Sequence, residues 1–240
     1  MASVPKRVLQ ELSLATQSAN LPIQVFLSLP KAKQVQYPTI PKDKGIAINS
    51  VKCKMTISGN TIKKCKAYPI YCNPASTSYA ITLKKNIITG NSKKIDGIRA
   101  DSGKLILSSN TISSCSRAII LSSKVKGTVY PNTFKKNTYN NVKVNSSYVN
   151  TLTVKSLSGK SKSAKTATLN WKKLSSASSY VVYRSASNNG SYTKISTIQK
   201  NKTITYKDSK LKRKSTYYYK IVPYTTIGKT TVYGLDSKIV

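Results

Sequence analysis

Residues 57–65 read ISGNTIKKC, and residues 107–115 read LSSNTISSC. Asn60, Thr61, Ile62 and Cys65 return as Asn110, Thr111, Ile112 and Cys115. Partial copies extend the series: TLKKNII (82–88) lies between them, and TVYPNTF (128–134) follows. The Asn thus falls at 60, 86, 110 and 132, in steps of 26, 24 and 22. Two more markers keep order with it. GIAI (45–48), PIYC (69–72), GIRA (97–100), AIIL (118–121) and NVKV (141–144) alternate with the Asn, and Cys65, Asn91, Cys115 and Asn137 sit five residues after it. PIQV (22–25) reads as one further, degenerate rung without a visible Asn turn.

A period of this length marks stacked supersecondary units. Each unit holds three apolar pieces of two to four residues, too short to bury themselves alone. Stacked turn upon turn, each pairs with its copies about 4.8 Å above and below. The expectation is a parallel β-solenoid. Its inward rows are Ile46, Ile70, Ile98, Ile119 and Val142; Ile48, Cys72, Ala100, Leu121 and Val144; Ile57, Leu83, Leu107 and Val129, or a neighbour on the same strand; and Ile62, Ile88, Ile112 and Phe134. Asn60, Asn86, Asn110 and Asn132 sit where two strands meet at a sharp corner. Asn tolerates the left-handed backbone such a corner needs, and stacked copies hydrogen-bond as a ladder. Their expected role is structural.

These residues carry a resemblance. The pattern GIxI…xIxxNTIxxC/N resembles the right-handed parallel β-helix repeat of the pectate-lyase-like superfamily, over about residues 45–147. That family combines lyases, hydrolases, adhesins and carbohydrate-binding scaffolds, so the resemblance implies a fold more than an activity. Its members often close the N-terminal end with an amphipathic helix. Residues 6–17 put Val8, Leu9 and Leu12 on one helical face, which suits such a cap. The low rung count suggests a piece of a longer protein.

The period stops near Val149. A Lys/Ser/Gly stretch (152–166) reads as linker and first strand, and strict alternation follows in TATLNWKK (166–173), SYVVYRSAS (179–187), SYTKISTIQ (191–199), TITYKD (203–208), STYYYKIVPYT (215–225) and VYGLDSKIV (232–240). Short alternating strands at this spacing argue a β-sandwich. LNW with Trp171, SYVVYRS with Tyr180 and Tyr183, Tyr192, Asp208, and Leu211 six residues before Tyr217 resemble a bacterial fibronectin type III domain. The resemblance implies that Trp171 packs between the sheets and that Tyr217 takes the tyrosine-corner position, ring buried and hydroxyl bonded back to the chain. Tyr218, Tyr224 and Tyr233, where exposed, would offer faces for sugar stacking. No RGD supports integrin-type adhesion. The fold class is all-β: residues 1–44 a cap with the degenerate rung, 45–150 the β-helix and 151–240 the sandwich.

Charge and composition narrow the function. The chain has 240 residues, 41 Lys+Arg against 6 Asp+Glu, and a formal net charge of +35, which attracts polyanions. Lys also guards strand edges against pairing. The absence of His removes Ser-His triads and the commonest zinc ligand. Cys53, Cys65, Cys72 and Cys115 form no C-x-x-C pair. Cys65 and Cys115 stand two rungs apart, about 9.6 Å by strand spacing, too far for a disulfide. The longest apolar stretch, LPIQVFLSLP (21–30), is too short and polar to span a membrane, and no secretory signal is visible. The chain is expected to be a monomer.

In β-helix enzymes the cleft runs over the outer face of the wall carrying the GIxI marker. Alternation places Ala47, Tyr71, Arg99, Ile120 and Lys143 outward there, with Asn49, Asn73, Asp101, Ser122 and Asn145 next in line. Tyr71, Asn73, Arg99, Asp101, Lys143 and Asn145 form the expected glycan grip. Paired carboxylates for hydrolysis are scarce, since only Asp96 and Asp101 lie within the clear rungs and Asp43 at their edge. Arg99 beside Asp101 is the remaining catalytic candidate. The expectation is a secreted or cell-surface protein binding anionic polysaccharide or cell-wall polymer without chemistry and without a cofactor or metal. The alternatives are a lyase acting on uronate polymers, under which alone Ca2+ would enter, and nucleic-acid binding through charge.

Overall fold

The computed structural model describes residues 13–14, 45–49, 54–65, 68–74, 77–91, 94–199 and 203–240. Asp43, Cys53 and PIQV (22–25) lie outside them. The described chain is all-β and falls into two compact units, with the main boundary between Tyr148 and Val149.

The first unit is a parallel β-solenoid of about three turns with three walls. The first wall stacks Ile46–Asn49, Ile70–Asn73, Ile98–Ala100, Arg117–Leu121 and Tyr139–Val144. The second stacks Met55–Ser58, Ala80–Lys84, Gly103–Ser108 and Val125–Val129. The third stacks Thr61–Cys65, Ile87–Gly90, Thr111–Ser113 and Thr133–Lys135. Every neighbouring pair is parallel, as one strand per wall per turn requires. The inward rows are those expected: Ile46, Ile70, Ile98, Ile119 and Val142 are buried, as are Ile57, Leu83, Leu107 and Val129. Phe134, at the end of its row, is half-buried. Each such aliphatic contributes about 1.5–3 kcal/mol on burial, so apolar rows and not the surface charges hold the turns together.

The opening repeat now has a packing reason. A Cβ on Gly97 would meet Ile112 Cγ2 at 2.5 Å, and one on Gly45 would meet Ile62 Cγ2 and Cys65 Sγ, each at 2.8 Å. The Ile and Cys of NTIxxC therefore close over the Gly that starts a first-wall strand, and the markers travel together because they touch.

The corners differ from expectation in one respect. The left-handed residue is the one before the Asn: Gly59 (φ 72°), Lys85 (φ 57°) and Ser109 (φ 55°). The Asn itself supplies the ladder. The backbone N–H and Nδ2 of Asn60 both donate to Oδ1 of Asn86, each at 3.0 Å. Asn86 donates likewise to Asn110 (3.0 and 2.9 Å), and Asn110 to Asn132 (2.9 and 2.9 Å). Nδ2 also reaches a carbonyl in each case, of Ser58, Ile57, Leu83 and Tyr130 in turn. A side-chain amide is needed because one group must accept from the rung before and donate to the rung after.

Of the expected cap helix (6–17), residues Ser13–Leu14 instead form a short strand, parallel to Thr56 and Ile57. The rest of that segment, with Val8, Leu9 and Leu12, lies outside the described residues.

The second unit is a sandwich. One sheet joins Leu157–Ser163, Thr166–Trp171 and Thr205–Asp208 in antiparallel order. The other runs Thr193–Gln199, Ser179–Ser185, Tyr218–Ile227. Leu157, Leu169, Trp171, Tyr180, Val182, Tyr219 and Ile221 build the core between them. Trp171 packs edge-on to Tyr180 with centroids 5.4 Å apart, and the Tyr180 hydroxyl accepts from Leu174 N–H at 2.9 Å. The Tyr217 hydroxyl accepts from Lys212 N–H at 3.2 Å, but its ring is half-buried and lies under the Arg184 guanidinium at 5.1 Å. Asp208 is buried and accepts from Arg184 Nη1 (2.9 Å), Tyr219 hydroxyl (3.0 Å) and Lys210 N–H (3.0 Å).

Candidate functional site

The outer face of the first wall carries the expected row. Register places Ala47, Tyr71, Arg99, Ile120 and Lys143 in line across successive strands. Tyr71 and Arg99 converge on one carboxylate: the Tyr71 hydroxyl donates to Asp101 Oδ2 at 2.7 Å and Arg99 Nε to Oδ1 at 3.1 Å. Arg99 Nη1 also donates to the Tyr68 hydroxyl at 3.3 Å, with its guanidinium 5.3 Å from that ring, and Tyr68 stacks on Tyr71 at 6.0 Å. Arg99 and Asp101 are about one-third exposed, 37% and 34%, so their ion pair contributes little to stability, about 0–1 kcal/mol. The cluster is closed upon itself.

The other expected grip residues do not join it. Asn73 accepts from Ser102 Oγ at 2.8 Å. Asn145 holds a left-handed turn (φ 53°), and its N–H donates to Leu121 O. Lys143, separated from Arg99 by Ile120, lies instead 5.6 Å from the Tyr148 ring centroid.

A second cluster on this wall was not legible from alternation. Arg117 lies over two rings, 4.4 Å from the Tyr139 centroid and 5.3 Å from that of Tyr148. Tyr139 opposes Arg117, yet Val142 opposes Ile119, so the last strand carries an extra residue between them. Such a bulge turns side chains away from strict alternation. The backbone N–H of Arg117 donates to Asp96 Oδ1 at 3.3 Å. Burial raises the Asp96 carboxyl above its ordinary value, against the opposing pull of that bond and of Arg117, Arg99 and Lys143.

Burial also raises the Tyr71 hydroxyl, helped by Asp101, to about 12, and the Cys72 thiol to about 12. Both groups are neutral in the fold while the unfolded chain loses its protons near 9 (Cys) and 10 (Tyr). The stability they contribute is therefore complete below pH 9 and lost as pH rises toward 12. Melting curves followed by circular dichroism are expected to be flat from pH 7 to 9 and to fall beyond it. The fall should be shallower for Cys72→Ala.

The fold and this wall define a class: a short β-solenoid with an appended sandwich of the fibronectin type III kind. The chain belongs to the NosD family, described as periplasmic copper-binding protein, whose model matches residues 39–167. That family is a right-handed β-helix family, which sets the hand of the solenoid. No curated protein matches. Among solved structures, the chain is similar to a Fn3-like protein from Clostridium thermocellum at 31% identity, covering 36% of this chain and 84% of that one, with a TM-score of 0.31. It is also similar to the sixth fibronectin type III domain of human fibronectin type III domain containing protein 3 (20% identity, 38% and 83% covered, TM-score 0.32). A third is the FN1-FN3 segment of chicken CNTN1 (17% identity, 41% and 32% covered, TM-score 0.34).

The family description raises copper, and the donors among the described residues do not fit it. Copper sites draw on imidazole, thiolate and thioether. The chain has no His. Burial holds Cys72 and Cys115 as protonated thiols, with values pushed up to about 12 and about 11. Among the described residues no three His, Cys, Asp or Glu side chains gather as a metal-holding group. No helix among them is long and apolar enough to cross a membrane.

Proposed function

We propose that the outer face of the first wall binds an anionic polysaccharide or cell-wall polymer, at the periplasmic or cell-surface location its family suggests, without catalysis. The observation that carries this is the row of tyrosines and cations on one flat face: Tyr71, Arg99 and Lys143 in line, with Tyr68, Arg117, Tyr139 and Tyr148 beside them. Parallel strands repeat these groups at about 4.8 Å, a spacing suited to gripping an extended polymer at several points. The net charge of +35 draws polyanions to the surface. Catalysis has weak support. Arg99 is paired with Asp101, which keeps it charged and unsuited to act as a base.

The test is affinity electrophoresis through gels holding polygalacturonate or purified cell-wall polymer. Retardation is expected at low salt and, in part, at salt that abolishes DNA binding. Binding that vanishes with DNA binding would favour charge alone, whose salt dependence is steep. Unsaturated product from a uronate polymer, lost in Arg99→Ala, would favour a lyase.

A further inference from the structure

The two clusters on the wall differ in what they lack. Arg99 has its carboxylate. Arg117 and Lys143 form no ion pair with any described residue. Arg117 Nε is buried without a hydrogen-bond acceptor, and Asn141 Oδ1, in the bulged strand opposite, is buried without a donor. These are two of the three buried side-chain polar atoms left unpartnered among the described residues. Such groups are costly in a folded protein and call for an explanation. Tyr139 and Tyr148, the rings over the guanidinium, are 47% and 54% exposed, so they shift readily and present faces to solvent.

We propose that Arg117, with Lys143, Asn141, Tyr139 and Tyr148, is the anion-receiving centre of the wall and takes a sugar ring bearing a carboxylate. The inference rests on the polysaccharide reading above and names its site and ligand chemistry. The carboxylate supplies the acceptor that Arg117 lacks, in the planar geometry a guanidinium fork matches. A ring hydroxyl supplies the donor that Asn141 lacks. The C–H face of the ring covers an exposed tyrosine. A polyphosphate chain offers acceptors alone, without a donor or a ring face, and satisfies only the first of these needs. The Tyr71–Arg99–Asp101 cluster, whose carboxylate is already in place, lines the same face beside it.

The test compares the full chain with Arg117→Gln, Arg117→Lys, Tyr148→Ala and Lys84→Gln in gels holding polygalacturonate, neutral dextran or polyphosphate. Arg117→Gln and Arg117→Lys are expected to weaken polygalacturonate binding about tenfold or more, the size of one charge-assisted hydrogen bond. Arg117→Lys keeps the charge, so its loss isolates the fork, and melting curves verify that each variant folds. Lys84→Gln removes one charge from the exposed end of a second-wall strand, away from this face, and is expected to stay within about twofold. Wild-type binding that Arg117→Gln and Arg117→Lys leave unchanged overturns the site and leaves the polysaccharide reading standing. So does a loss at Lys84→Gln as large as at Arg117→Gln. Polyphosphate bound as tightly, through the same Arg117, overturns the sugar ring. No retardation of the wild type by any acidic glycan sinks the reading and the inference together.

Discussion

Replacing Asp208 with alanine is expected to destabilise the sandwich unit by about 3–5 kcal/mol, the cost of removing one partner from a buried ion pair. Asp208 is 3% exposed and gathers Arg184, the Tyr219 hydroxyl and Lys210 N–H onto its two oxygens. Alanine leaves the Arg184 guanidinium without its carboxylate and the Tyr219 hydroxyl without its acceptor. Burial, with Asp208 adding to it, raises the Tyr219 hydroxyl well above its ordinary value, a sign of how closed this place is. Trp171 is the chain's one tryptophan and sits in the same core, so urea unfolding followed by its fluorescence reads this unit. Asp236→Ala supplies the comparison. Its pair with Lys220 spans 2.7 Å, but Asp236 is half exposed, and the expected change is within about 1 kcal/mol. Equal effects at the two sites would show that burial at Asp208 does not set its worth.

The same contrast explains what was legible in the sequence. Inward rows are decided by alternation and by the repeat, and both are written into consecutive letters, so Ile46 through Val142 read correctly. The ladder role of the Asn was legible because four copies recur in order with the other two markers. Its backbone was not: Gly59, Lys85 and Ser109 carry the left-handed turn, and a Lys or Ser there gives no signal of it. Tyr68 escaped notice because it precedes its strand. Arg117, Tyr139 and Tyr148 escaped because a bulge breaks alternation, and a bulge of one residue leaves no mark in NVKV. The signal available was compositional: three of the exposed large side chains near the end of the repeat are tyrosines, Tyr130, Tyr139 and Tyr148. Tyr217 read as a buried ring and is half-buried, because Arg184 covers the face that further core would otherwise fill.

Asn110→Ala is expected to be the most damaging single change in the solenoid. Asn110 stands mid-ladder, fully buried, and its side chain serves three neighbours: it accepts from the N–H and Nδ2 of Asn86 and donates to Leu83 O and Asn132 Oδ1. Alanine strands the Asn86 N–H and one of the two Asn86 Nδ2 hydrogens, and the Leu83 carbonyl loses its side-chain donor. Each buried unpaired group costs about 1–3 kcal/mol, so the loss is about 2–6 kcal/mol before any relaxation. Asn132 has the same bonds to one side only, and it is half-buried with water within reach. Asn132→Ala is therefore expected to cost about half as much or less. Thermal unfolding by far-ultraviolet circular dichroism compares the two, and hydrogen exchange at the Asn86 amide locates the damage. If the ladder works as a chain, exchange there accelerates in Asn110→Ala and is little changed in Asn132→Ala. Identical destabilisation and unaltered Asn86 exchange in both would mean that the corners are held by their apolar rows alone.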